Sequence, residues 1–155
     1  MNKKETVINE ILTTEYAMFY RIAFSYVRTE ADALDIVQES AYKAIYHANK
    51  LKNPEYAKTW ICRIVINEAI TFLRKKTKEQ TEPILAELAD REKEDMTDLK
   101  NALEKLSPEE KTVIILRFFE DMKLEEVAAV CKESVSTVKS RLYRTLKKLK
   151  LDLEI

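Results

Sequence analysis

The chain has 155 residues, room for one or two small domains with a buried core. Its 46% apolar and 35% charged residues make a globular profile, and glycine is absent where average usage would supply about ten. Primed hairpin turns and Gly-rich phosphate cradles need positive φ, so hairpin-rich β folds, dinucleotide fingerprints and Walker loops are excluded and an all-α fold is expected.

Lysine plus arginine (27) balance aspartate plus glutamate (27), so only the distribution of charge along the chain can point to a partner. Residues 79–104 hold nine acids against three bases, whereas 139–150 hold six bases and no acid. A second basic run, Arg74, Lys75, Lys76 and Lys78, precedes the acidic stretch. Two basic patches therefore flank an acidic connector.

In chain order, Ile8, Ile11, Leu12, Phe19, Ile22, Ala23, Tyr26 and Val27 recur at three- and four-residue steps and predict one amphipathic helix over 5–28. A second is expected over 31–49, with Leu34, Val37, Ala41, Ala44, Ile45 and Ala48 on one face. Asn53-Pro54-Glu55 reads as a cap followed by a first helical turn, opening a third helix over 54–76 that is apolar on more than one side. These three form a bundle. From 77 to 98 the periodicity weakens, Pro83 interrupts and acids dominate, which reads as a linker with a short helix at 84–88. Four helices follow: one ending at Leu106, one from Pro108 to Asp121 behind the capping box Ser107-Pro108-Glu109-Glu110, one over Leu124–Lys132, and one after the N-cap Ser134 running through Leu149.

Catalysis is not expected, because the one histidine, His47, has no nucleophile or metal pattern around it and reads as a solvated helix residue. Cys62 and Cys131 lie far apart in apolar patterns and read as buried, reduced thiols; neither metal nor cofactor is implied. The N-terminus lacks an apolar signal region and the most apolar run, 112–119, contains Arg117, so a soluble, cytosolic protein without membrane insertion is expected. Asp32, Asp35 and Glu39 share one helical face, open to solvent or to a protein partner.

The last two helices fit a helix-turn-helix, whose second helix enters the major groove. With Val135, Val138, Leu142, Leu146 and Leu149 turned to the core, Ser134, Ser136, Thr137, Lys139, Ser140, Tyr143, Arg144 and Lys147 face outward, equipped for phosphates and base edges. The third helix offers Trp60, Arg63, Asn67 and Arg74, an aromatic, an amide and guanidinium groups suited to a single strand, although a helical tryptophan also suits a core.

Three blocks carry a resemblance: Asp32–Leu51 with Asp35-Ile36-Val37-Gln38-Glu39, Thr59–Lys76 with Trp60, Arg63 and Asn67, and Leu106–Leu149 with Thr137-Val138-Lys139-Ser140-Arg141-Leu142. In order and spacing the chain resembles the extracytoplasmic-function group of bacterial RNA polymerase sigma factors over nearly its whole length. The resemblance implies two helical domains, 1–78 and 99–155, joined by a flexible acidic linker, 79–98. The first would dock Asp35, Gln38 and Glu39 on the β′ clamp of core polymerase and would bind and open the −10 promoter element with Leu51, Lys52, Trp60, Arg63, Asn67 and Arg74. One extruded base would sit near Leu51, Lys52 and Asn67. The second would read the −35 element with Ser134, Thr137, Lys139, Ser140, Arg141, Tyr143 and Arg144, and touch the β flap. Control by an anti-sigma factor, often membrane-anchored, is also implied.

Two departures stand out. Where many members have glycine and an apolar residue in the helix-turn-helix turn, this chain has Lys132 and Glu133, and Lys123 replaces a hydroxyl cap. A non-glycine turn and a cap weaker by about 1 kcal/mol are the expected consequences. The rival readings are a dimeric helix-turn-helix regulator that works without polymerase and a helical adaptor that binds only proteins. The first has no use for a single-strand surface at Trp60 and Asn67, and the second predicts no salt-dependent DNA binding.

Overall fold

The computed structural model describes residues 2–79 and 98–153, and every described element is helical. The acidic linker, with the helix expected at 84–88, lies outside the described residues. The predicted first helix is two: α1 (Lys3–Thr14) and α2 (Tyr16–Val27), broken at Glu15, whose backbone leaves helical geometry (φ −106, ψ 16). The apolar pattern runs through this break because both helices present their stripe to the same core. α3 (Glu30–Tyr46) follows a left-handed Arg28 and is capped by Thr29, whose Oγ1 accepts from the Asp32 N–H at 3.2 Å. A 3₁₀ turn at Ala48–Lys50 and another at Pro54–Tyr56, capped by Asn53, lead into α4 (Ala57–Glu79). Phe19, Ile22, Ile61 and Val65, together with Ile8, are fully buried where α1 to α4 meet.

The second unit holds α5 (Asp98–Glu104), α6 (Pro108–Ile114), α7 (Leu124–Cys131) and α8 (Val135–Leu153). Its capping box forms as expected: Ser107 Oγ accepts from the Glu110 N–H at 3.2 Å and Glu110 Oε1 from the Ser107 N–H at 3.0 Å. The helix expected to reach Asp121 instead widens into a π-turn at Ile115–Phe119, closed by the Glu120 N–H on the Ile115 carbonyl at 3.0 Å, and stops at a left-handed Asp121. Phe118 and Phe119 are left half-exposed. Val113, Leu116, Val127, Val138 and Thr145 make the buried centre. Val135, expected in this core, is instead exposed, while Val138, one turn further on, is buried.

The two units pack together along a seam. Arg21 of α2 forks onto Glu120 (Nη2 to Oε1 2.8 Å, Nε to Oε2 3.3 Å), and Arg28 pairs with Glu104 at 3.2 Å. Between them the buried Tyr26 hydroxyl meets Thr112 Oγ1. Thr112 gives its single proton to the Pro108 carbonyl at 2.8 Å, so Tyr26 is the donor. Burial raises the Tyr26 pKa and keeps that proton in place. Among the described residues no helix is long and apolar enough to cross a membrane, and no cluster of His, Cys, Asp and Glu could hold a metal ion.

Candidate nucleic-acid interface

The α3–α4 loop and the first turns of α4 build an open cleft of about 420 Å³. The 3₁₀ turns bring Leu51 and Lys52 to its floor and rim, and Trp60 and Arg63, one helical turn apart on α4, form its wall. Four of the six residues expected at the −10 surface are thus in one place, joined by Tyr56, exposed on the rim, and by Lys50 and Lys132. Trp60 is half-buried, with one part against the core and another in the cleft, which reconciles the two roles open to it. Leu51 is buried. Asn67, a turn further along α4 and exposed, lines instead a smaller cavity of about 200 Å³ between the units, again with Arg63. Arg74 is exposed and lines neither cavity.

Arg63 links this surface to the second unit. Its Nε and Nη2 donate to the carbonyls of Val130 and Ala129 at 3.0 and 2.9 Å, at the C-terminus of α7. Helix-end carbonyls lack intrahelical donors and carry the negative end of the dipole, so a guanidinium is a fitting cap. Partial burial lowers the Arg63 pKa, the penalty these bonds offset. Nothing in the sequence signalled this contact, which joins residues 66 and 67 positions apart.

α8 presents its other face to solvent. Ser134 caps it, Oγ accepting from the Thr137 N–H at 3.2 Å, and Thr137, Lys139, Ser140, Tyr143 and Arg144 are all exposed, while Val138, Leu142 and Leu149 are buried and Leu146 partly so. Arg144 Nε leans on the Ser140 carbonyl at 3.4 Å. Arg141 differs from the others in this set. It turns away from the open face and forks onto Glu133, Nη1 to Oε1 and Nη2 to Oε2 both at 2.9 Å, because α8 periodicity places it between the buried Val138 and Leu142 and the exposed Ser140 and Arg144. The turn before α8 is made by a left-handed Lys132 (φ 56, ψ 42). Lys123 provides no side-chain cap, but the Glu126 carboxylate accepts from its backbone N–H at 3.3 Å, so half of the capping arrangement survives.

On the far side of α3, Asp35 and Glu39 share a groove with Glu68 and Lys75 of α4, and Gln38 is exposed beside them. Glu68 also pairs with Lys43, whose pKa rises through that bond. The groove presents a net excess of carboxylates to solvent, which suits a basic partner. Sequence reasoning missed Glu68 because it lies on a different helix from Asp35 and Glu39. Cys62 is buried and its thiol is pushed up to about 12 by burial, whereas Cys131, expected to be buried, is only half-buried because it faces the seam cavity.

Residues 11–79 match the model of sigma-70 region 2 and residues 96–149 that of sigma-70 region 4. The chain is 46% identical to the RNA polymerase sigma factor SigV of Bacillus subtilis, over 99% of this chain and 96% of that one. It is 29% identical to the RNA polymerase sigma-E factor of Streptomyces antibioticus, over 94% and 83%. Among solved structures, the fold is similar to that of CnrH in complex with the cytosolic domain of CnrY (TM-score 0.71, 24% identity, 95% of this chain and 87% of that one). It is similar also to the sigma factor RpoE in complex with the anti-sigma factor NepR from Bartonella quintana (TM-score 0.69, 24% identity, 95% and 96%).

Proposed function

The chain belongs to the extracytoplasmic-function group of sigma-70 family RNA polymerase sigma factors, and from that premise we propose how its surfaces divide the work of promoter recognition. Residues 1–78 form the unit that holds core polymerase and the −10 element, residues 99–155 the unit that holds the −35 element, and 79–98 the tether. Asp35, Gln38 and Glu39 dock on the basic coiled coil of the β′ clamp, with Glu68 adding a fourth polar group to that face. Leu51, Lys52, Trp60, Arg63 and Asn67 receive the non-template strand, and the cleft gives an extruded base the apolar floor and aromatic wall that offset unstacking, a few kcal/mol. Arg74, further along α4, tracks the backbone. Ser134, Thr137, Lys139, Ser140, Tyr143 and Arg144 meet the −35 duplex, and the half-exposed Phe118 and Phe119 suit the β flap.

The single observation carrying this reading is the cleft that gathers Leu51, Lys52, Trp60 and Arg63 on a chain whose other unit presents a basic helix that no other described residue covers. One surface fits a single strand and the other a duplex. Arg63 cannot give the same donors to the Ala129 and Val130 carbonyls and to a DNA strand, so loading onto a promoter separates the two units at that point. The protein acts in the cytoplasm, performs no catalysis itself and is held by an anti-sigma factor, in keeping with the relative whose solved complex contains one. Run-off transcription with purified bacterial core polymerase and a promoter library tests the reading. Transcripts starting at a defined subset of promoters, dependent on the added chain, are expected; transcription indifferent to the chain overturns it.

A further inference from the structure

Residues 132–134 reverse the chain between α7 and α8 without glycine. Lys132 takes the left-handed conformation, and the N–H groups of Lys132 and Glu133 return to the carbonyls of Ala129 (3.4 Å) and Ala128 (3.1 Å), a Schellman closure with a β-carbon where glycine is usual. The next side chain then reaches forward. Both oxygens of Glu133 take both terminal nitrogens of Arg141 at 2.9 Å, tying the turn to the second turn of α8. The pair is partly desolvated, with the Arg141 side chain 19% and the Glu133 side chain 31% exposed, so salt screens it less than a surface pair. Thr145 Oγ1 donates to the Arg141 carbonyl at 2.7 Å from the buried side, fixing the backbone from which the fork extends.

We propose that Glu133 and Arg141 form a positioning clasp that sets the angle of α8 against α7, so that Arg141 governs duplex recognition through the helix it holds and not by touching DNA. The inference rests on the reading of α8 as the −35 helix and goes beyond it, since that reading gives Glu133 no part and counts Arg141 only as a candidate contact. The bidentate geometry needs a planar guanidinium, which lysine cannot supply despite its charge. The Arg141 bond holds the Glu133 carboxyl below its ordinary pKa.

The test uses the full chain with bacterial core polymerase and a promoter library randomised over the −35 hexamer, read as yield and base preference at several salt concentrations, with core binding as a folding control. Glu133→Ala and Arg141→Lys are each expected to lower −35-dependent yield by about three- to tenfold and to flatten preference at several positions, with the salt slope unchanged. The exchanged pair Glu133→Arg with Arg141→Glu is expected to recover at least half of the wild-type yield. A direct DNA contact by Arg141 predicts the reverse signs: Glu133→Ala frees the guanidinium and raises yield, Arg141→Lys stays near wild type, and the exchanged pair recovers nothing. Any of these overturns the clasp. Arg144→Ala separates the two readings: if it too leaves −35 preference untouched, α8 does not face the duplex and the clasp falls with it; if it alone has an effect, only the clasp fails.

Discussion

The two surfaces proposed to meet DNA differ in shape, chemistry and access. The α4 cleft is concave, mixes aromatic, apolar and cationic groups, and lies beside the seam, with Ala129 and Lys132 of the second unit on its rim. The outer face of α8 is convex and cationic from Lys139 to Lys150, and among the described residues no other element covers it. A convex basic helix gains most of its affinity from phosphates and so responds to salt, while a cleft rewards a single base that has left its stack. The difference also bears on timing. In the proposed reading the described face of α8 is open to a duplex, whereas the α4 surface gains its guanidinium only when Arg63 releases the end of α7.

Arg63→Ala should break this contrast most strongly. Hydrogen bonds to charged groups are worth about 1.5–3 kcal/mol, and in the proposed reading the side chain that holds the seam also serves the single strand. Promoter opening, followed by single-strand reactivity of the −10 region, should fall tenfold or more, while amide exchange at residues 129–133 of the free chain accelerates. Faster exchange with normal opening would confine Arg63 to the seam. Next in size is Arg144→Ala on the open face. The expected loss is about 1–3 kcal/mol at one −35 position if Arg144 reads a base edge, or a salt slope shallower by about one phosphate if it meets the backbone. Binding isotherms on duplexes at four salt concentrations decide between them, and no change in either removes Arg144 from the surface.

What the sequence made legible follows the same division. The outward set on α8 could be read because helical periodicity alone assigns each residue to a face, and Ser134 and Ser107 could be read as caps because capping is local. Glu15 was invisible as a break, since two short helices with one shared core carry one continuous apolar pattern. The π-turn at Ile115–Phe119 was equally hidden: one extra residue per turn shifts which aromatics are exposed without altering composition. Arg141 entered the −35 set through the resemblance and not through the outward periodicity, and its fork to Glu133 could not be foreseen because it depends on the left-handed Lys132, a backbone state that a lysine does not advertise. The seam was the least legible of all, because its partners come from opposite ends of the chain and nothing local marks Tyr26 or Arg63 as interfacial.

Tyr26→Phe offers a milder probe of that seam. It removes a hydroxyl that is buried and donates to Thr112 Oγ1, while Thr112 keeps its own bond to the Pro108 carbonyl. The cost should be about 1 kcal/mol, the usual worth of a neutral buried hydrogen bond, seen as a lower denaturant midpoint. Because the ring still fills its site, affinity of α8 for the duplex should stay the same. A parallel fall in duplex affinity would mean that the seam also shapes the open face, and the two surfaces would then not be independent.

Acid should act on the second unit through the gentlest of these effects. Glu110 titrates below its ordinary value of 4.5 because it accepts from the Ser107 N–H and then because it faces Lys148 at 3.2 Å. Glu133 is lowered from the same value, first by its bond to Arg141. A carboxylate with a depressed folded-state pKa adds stability that is complete above its unfolded pKa and disappears as pH falls through the folded one. The second unit should therefore hold the contributions of these two carboxylates in full at neutral pH and lose them progressively as pH falls below about 4.5. Glu110→Gln keeps an acceptor for the Ser107 N–H but nothing that titrates, so its unfolding midpoint should be slightly lower at pH 7 and less steep in acid. An acid slope identical to that of the unaltered chain would show that the capping carboxylate does not feel folding, and would leave Glu133 and its clasp as the acid-sensitive element of the second unit.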